Sequence, residues 1–171
     1  MKIFLVGFMG SGKSTIGRKL ALYLQYHFID LDKLIENKAG MSISEYFSEY
    51  GEDRFREFES AVLQQTVFPE NVIIATGGGT PCYFNNMAWM NDEGKTVYLH
   101  MEPKALAQRL KYSKSERPLI RDLSSDELVG FITQKLADRD VFYRKSQLII
   151  SGLDLTAQKL AGYLALPSSD R

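Results

Sequence analysis

Apolar residues recur along this chain with two alternating periods. Ile3-Phe4-Leu5-Val6 is a short continuous apolar run, the mark of a strand buried on both faces. From Thr15 to Tyr26, Ile16, Leu20, Ala21 and Leu24 share one helical face while Arg18, Lys19 and Gln25 fall elsewhere, which predicts an amphipathic helix. His27 to Asp32 predicts a second strand ending in two acids, and Lys33–Ala39 a helix closed by Gly40. Ile43 to Phe68 is helical in spacing, with Ser42 or Ser44 placed to cap it and Gly51 interrupting it. Val72–Ala75 and Thr96–His100 predict two more strands, separated by a helix carrying Trp89 and Met90. Pro103 suits the first turn of a helix over Lys104–Lys111. Ser125–Tyr143 is helical through Leu128, Phe131, Ile132 and Leu136, Gln147–Ser151 predicts a fifth strand, and Leu155–Leu164 a closing helix. Strands that alternate with helices predict an α/β fold: a five-stranded parallel sheet flanked by helices in three layers. One domain is expected over residues 1–166, with 167–171 a disordered tail. Residues 112–124 are polar, charged and long for a connection in a compact domain, and such loops tend to be functional.

The most informative stretch follows the first strand. Gly7-Phe8-Met9-Gly10-Ser11-Gly12-Lys13-Ser14 has the P-loop spacing of a glycine, four residues, then Gly-Lys-Ser. Its glycines, Gly10 and Gly12 among them, let backbone N–H groups turn inward around phosphate oxygens. Lys13 can reach the outer phosphates as a compact cation. Ser14 offers a hydroxyl to magnesium, which takes oxygen ligands. The helix that begins there adds the positive end of its dipole. Strand, glycine loop and helix in that order is the context that supports the motif.

Other candidate chemistry lies downstream. Alternate strand residues share a face, so Asp30 and Asp32 are expected to project together from the carboxyl end of the second strand. That is the ligand-binding edge of an open parallel sheet. One acid can serve magnesium and the other orient or deprotonate an attacking hydroxyl. The alternative is that Asp30 or Asp32 caps the helix that follows, and the nearby P-loop favours function. Arg54 and Arg56 are two residues apart, so at most one faces a site shared with Phe47 and Phe55; a solvated, salt-bridged face suits Arg54. Gly77-Gly78-Gly79 after a strand implies close approach of backbone to a partner. The third strand lacks the terminal Asp with which many P-loop ATPases hold magnesium, which leaves that task to Asp30. In a phosphoryl-transfer enzyme, the 112–124 loop would act as a lid that brings Arg117 to the phosphates.

Composition narrows the field. Lys plus Arg and Asp plus Glu both number 21 in 171 residues, so no global basic field points to nucleic acid. Cys82 is the single cysteine; it forms no internal disulfide and suits a reducing compartment. It has no activating cluster and is read as structural. His27 and His100 fall in strands without the partners of a metal site. No apolar stretch approaches a membrane span, and the first residues lack the small-residue cleavage site of a secretory leader. A cytoplasmic monomer is expected.

Taken together, these motifs resemble the nucleoside-monophosphate-kinase type of P-loop kinase fold, and one family in particular, shikimate kinase. The resemblance rests on Gly7–Ser14 continuing as Thr15-Ile16-Gly17, on Asp30-Leu31-Asp32, on Gly51 through Arg56-Glu57-Phe58-Glu59, on Gly77-Gly78-Gly79 and on Arg117-Pro118-Leu119. It extends over nearly the whole chain. It implies transfer of the ATP γ-phosphoryl group to the 3-hydroxyl of shikimate, in aromatic amino-acid biosynthesis, with one magnesium ion. By the same resemblance Gly10, Ser11, Gly12, Lys13, Ser14 and Thr15 hold ATP, with Arg109 near adenine and Arg117 entering from the lid. Ser14 and Asp30 serve the metal. Asp32 contacts the acceptor hydroxyl, Arg56 and Arg139 clamp the shikimate carboxylate, and Gly77, Gly78 and Gly79 shape that side. Lys13, Asp32 and Arg117 carry catalysis. The family's usual Pro-Leu-Tyr after the last arginine stands here as Val141-Phe142-Tyr143, which makes Arg144 the competitor of Arg139. Residues 151–155 lack the family's basic, proline-containing character, so no adenine contact is assigned to them. The competing readings are another small-molecule kinase of this fold, for gluconate or a nucleotide, and a non-catalytic nucleotide-binding module.

Overall fold

A computed structural model of the chain describes residues 1–112 and 123–166. Five strands among the described residues, β1 (Lys2–Val6), β2 (His27–Asp30), β3 (Val72–Ala75), β4 (Lys95–His100) and β5 (Leu148–Ser151), form one sheet in the order β2-β3-β1-β4-β5. All four pairings are parallel. Alternate residues of β1 face opposite layers. Phe4 and Val6 join one buried cluster with Leu31, Phe55, Ile74 and Tyr98, whereas Ile3 and Leu5 join another with Ile16, Leu20, Ile73 and Leu160. Ile3 to Val6 are all 0% exposed, as a central strand covered on both faces requires.

Among the described residues seven α-helices flank the sheet: α1 (Lys13–Leu24), α2 (Leu31–Ala39), α3 (Ile43–Gln65), α4 (Asn86–Glu93), α5 (Pro103–Lys111), α6 (Ser125–Tyr143) and α7 (Ala157–Tyr163). Ser42 and Ser124 start α3 and α6 through reciprocal capping boxes with Glu45 and Glu127, each satisfying otherwise orphaned N–H groups. Gly51 breaks α3 into two limbs at φ 80°, ψ 172°, backbone geometry that is essentially glycine's alone.

One shifted boundary bears on the site. β2 ends at Asp30, and Leu31 and Asp32 already belong to α2. Asp30 and Asp32 therefore do not share a strand face. The Asp30 carboxylate accepts from the Lys33 N–H at 3.4 Å as the α2 cap. The sequence pattern is ambiguous here because Leu31 is fully buried, an outcome equally natural for a strand or a first helical turn. Asp30 pairs with Ala75 in the last register step of β2 with β3. There the ladder stops, and the cap starts the helix.

The topology fixes where a ligand can sit. The chain leaves β1 toward β2 and β3 on one side and later returns to β4 and β5 on the other. The crevice at such a switch point, beyond the carboxyl ends of the strands, is the general ligand position in open parallel sheets.

Candidate active site

A cavity of about 1170 Å³ opens at that carboxyl edge. The P-loop, Asp30 and Asp32, Arg56, the Gly77, Gly78 and Gly79 run and Arg139 all line it, and Gly78 lies against the P-loop, where a Cβ would stand 3.6 Å from the Met9 nitrogen.

At the P-loop, Lys13 is 8% exposed, and its Nζ donates to the carbonyls of Gly7 (2.7 Å) and Phe8 (2.9 Å). Ser11 Oγ is buried with no hydrogen-bond partner among the described residues, a polar atom that calls for a ligand oxygen. Gly10, Gly12, Ser14 and Thr15 line the same wall. The Ser14 hydroxyl donates to Asp30 Oδ2 at 2.7 Å, bringing a hydroxyl and a carboxylate together at the mouth of the loop. Among the described residues no three of His, Cys, Asp and Glu gather as a ready-made metal cage. A hydroxyl–carboxylate pair beside a phosphate cradle nonetheless fits magnesium, which keeps several waters and uses one or two protein oxygens plus substrate phosphates. Arg109 donates from Nη1 to the Ser11 carbonyl (3.3 Å) and from Nη2 to the Gly152 carbonyl (3.1 Å), tying α5 and the turn after β5 to the P-loop. Gly152, Asp154 and Leu155 also line the cavity, although the sequence suggested no contact from that segment.

Asp32 stands at the junction. Burial, reinforced by the charges of Asp30 and Glu59 and only partly relieved by Lys13, pushes its carboxyl up to about 6. A carboxylate poised there can exchange a proton near neutral pH.

Beyond β3, three consecutive glycines each make room for a different side chain. A Cβ on Gly77 would lie 2.8 Å from Asp32 Oδ1 and 3.3 Å from Glu59 Oε1; on Gly78, 3.2 Å from Arg139 Nη1; on Gly79, 2.5 Å from Arg56 Nη1. Close approach of side chains thus accounts for the triplet. Arg56 is 8% exposed and Glu59 1%. Arg56 Nη1 donates to Glu59 Oε2 at 2.9 Å, and Glu59 Oε1 accepts from Thr80 Oγ1 at 2.6 Å. A buried ion pair is tolerable only with such extra hydrogen bonds. Arg54 instead lies on the surface, 4.0 Å from Glu57.

Arg139 lines the cavity with its guanidinium 5.6 Å from the centre of the Phe8 ring, whereas Arg144 is exposed and bonded to Asp140. The Tyr143 hydroxyl donates to the Gly78 carbonyl at 2.5 Å, fastening the glycine run to α6. Cys82 lies nearby, and burial pushes its thiol up to about 11, so it is no nucleophile at neutral pH. Arg117 lies outside the described residues, as do most of the 112–124 segment and the 167–171 tail.

Glu59, Thr80, Tyr83 and Tyr143 escaped sequence reasoning as site residues. The i,i+3 spacing of Arg56 and Glu59 on one helix face was a readable signal for the first. The others come from elements far away in the chain, Thr80 and Tyr83 at a short turn and Tyr143 at the end of α6.

Comparison with known proteins converges on one family. The family model described as shikimate kinase matches residues 9–165. The shikimate kinase of Phocaeicola vulgatus is 44% identical over 154 residues, covering 90% of this chain and 88% of its own. The crystal structure of shikimate kinase from Bacteroides thetaiotaomicron superposes with a TM-score of 0.93 at 41% identity, over 97% of this chain and 99% of that one. The structure of the Acinetobacter baumannii enzyme in complex with shikimate does so at 0.81 and 33% identity, over 96% and 90%.

Proposed function

The chain belongs to the shikimate kinase family, an ATP-dependent kinase with shikimate as its acceptor, and on that premise we propose that this cavity passes the γ-phosphoryl group of ATP to the 3-hydroxyl of shikimate. The observation that carries the assignment is that one cavity is lined by both the P-loop and Arg56, with Asp32 between them.

Each role follows from chemistry at a named atom. The P-loop amides, Ser11 Oγ and Lys13 hold the phosphates, and Lys13 exchanges its carbonyl contacts for phosphate oxygens when nucleotide binds. Ser14 and Asp30 would hold a magnesium ion, which when bound neutralises charge on the phosphates. Arg109 borders the nucleotide base, in reach of the Gly152–Leu155 wall. Arg56 and Arg139 take the acceptor's carboxylate, a planar anion that guanidinium groups bind through paired hydrogen bonds. Asp32 accepts the proton of the attacking hydroxyl, and its raised pKa makes the ionised form an effective acceptor. Arg117 would come from the 112–124 segment to the transferring group. Phosphoryl transfer needs positioning and charge neutralisation more than covalent chemistry, and these residues supply both.

One kinase domain over residues 1–166 provides the whole site, so a monomer suffices. Balanced charge gives no reason to invoke nucleic acid. No helix among the described residues is long and apolar enough to cross a membrane. A reduced Cys82 agrees with action in the cytoplasm.

The test is ATP turnover with shikimate, gluconate and nucleoside monophosphates offered separately. Turnover is expected with shikimate, and its absence there would end the assignment. Asp32→Asn should leave the KM for ATP nearly unchanged and lower kcat by about 100-fold or more; near-normal turnover would remove Asp32 from the chemistry.

A further inference from the structure

Arg56 is held by more than its buried partner. Its Nε and Nη2 both donate to Glu52 Oε1, at 3.4 and 3.2 Å. The Glu52 side chain is 53% exposed, and an exposed ion pair one helical turn away is by itself a weak restraint. The same oxygen, however, accepts a third hydrogen bond, from the Tyr83 hydroxyl at 3.0 Å. The Tyr83 ring also approaches the Arg56 guanidinium more closely than any other aromatic ring near it. The centroid lies 4.3 Å from Cζ, against 5.3 Å for Phe55 and 5.7 Å for Phe47.

The rings differ in purpose. Phe55 is a core residue and Phe47 packs against that core, but Tyr83 belongs to neither buried cluster. Its interactions are with the guanidinium and its carboxylate partner. Tyr83 directly follows the short turn Thr80–Cys82 that the glycine triplet feeds, and from there it reaches both Glu52 and Arg56.

Counting donors shows what this bracket achieves. A guanidinium has five N–H groups. Three are taken by carboxylates, at Nε, Nη1 and Nη2, which leaves one further N–H on each terminal nitrogen. Two parallel donors are what a carboxylate takes with both oxygens. Holding the fork in place beforehand lowers the cost of ordering it when the acceptor arrives.

We propose that Tyr83 is a positioning residue for acceptor binding: its ring and hydroxyl fix the Arg56–Glu52 pair so that Arg56 meets the acceptor's carboxylate ready-aligned. The inference rests on the assignment of Arg56 to that carboxylate in the functional reading above.

Steady-state kinetics of Tyr83→Leu and Tyr83→Phe test it, with both substrates varied and thermal melts run alongside. Tyr83→Leu removes ring and hydroxyl and should raise the KM for shikimate about five- to tenfold, as expected for a lost cation–π contact. The KM for ATP and kcat should stay within about twofold. Tyr83→Phe keeps the ring and should raise the shikimate KM by about two- to threefold, the scale of one modest hydrogen bond. If Tyr83→Leu does not fold, Tyr83→Phe decides alone. An unchanged shikimate KM in the folded variants overturns the role, as does a loss confined to kcat or shared equally by the KM for ATP. If the unmodified enzyme itself turns over no shikimate, the functional reading has failed and this inference falls with it. Normal wild-type turnover with indifferent variants removes Tyr83 alone.

Discussion

Asp32 is the residue whose chemistry is most exposed to measurement. Its carboxyl titrates at about 6 in the folded chain against an ordinary 3.8. The sign follows from linkage. Between those values the folded state holds more protons than the unfolded one, so ionising Asp32 costs stability as pH rises through that window. Asp32→Asn should therefore raise Tm at pH 8, with the gain disappearing as pH falls toward 4; a constant difference across that range would deny the shift. The activity has the opposite slope: kcat/KM for shikimate should fall below about pH 6 as the base protonates. Gly79 offers a second residue-level test. Its Cβ would meet Arg56 Nη1 at 2.5 Å and Nη2 at 2.6 Å, and Arg56 is braced on several sides. Gly79→Ala should raise the KM for shikimate by about tenfold while sparing that for ATP. The sequence pointed to these glycines as a close approach but not to what approaches. Arg56 lies in α3 and Arg139 in α6, and only the packed fold identifies the neighbours.

At the scale of elements, α3 and α6 do most of the arranging on the acceptor side. The Gly51 break lets α3 place Ile43 and Phe47 from one limb and Phe55, Arg56 and Glu59 from the other around the same cavity. A Cβ there meets nothing within 4 Å, so the cost of Gly51→Ala is backbone strain alone, about 1–3 kcal/mol. Urea unfolding should report that loss, and an unchanged midpoint would mean the break relaxes freely. Tyr143 links α6 to the Gly78 carbonyl; Tyr143→Phe should weaken shikimate binding and leave ATP binding intact, which titration of each ligand will show. Much of this level was legible. Apolar runs marked all five strands because each is a compact segment between turns, and helical spacing marked the flanking helices. The change from β2 to α2 was not, since a buried Leu31 suits either element and only the end of the ladder with Ala75 decides. Tyr83, 31 residues from its hydrogen-bond partner Glu52, carried no periodic signal at all.

The whole molecule explains why these pieces meet. Two buried layers hold the parallel sheet, and its carboxyl edge collects the P-loop after β1, Asp30 at the end of β2 and the glycine triplet after β3. Helices packed into one of those layers then deliver arginines to that edge, Arg56 from α3, Arg109 from α5 and Arg139 from α6. The P-loop alone indicated a nucleotide, and the resemblance supplied the acceptor. The shared cavity is what lets one group pass between them. A crystal structure with ADP and shikimate bound together tests this most directly. The account predicts the acceptor carboxylate on Arg56 and Arg139, with a ring hydroxyl within hydrogen-bonding reach of Asp32 and facing the nucleotide phosphates. Shikimate bound with its carboxylate away from Arg56, or its hydroxyls turned from Asp32, would contradict it.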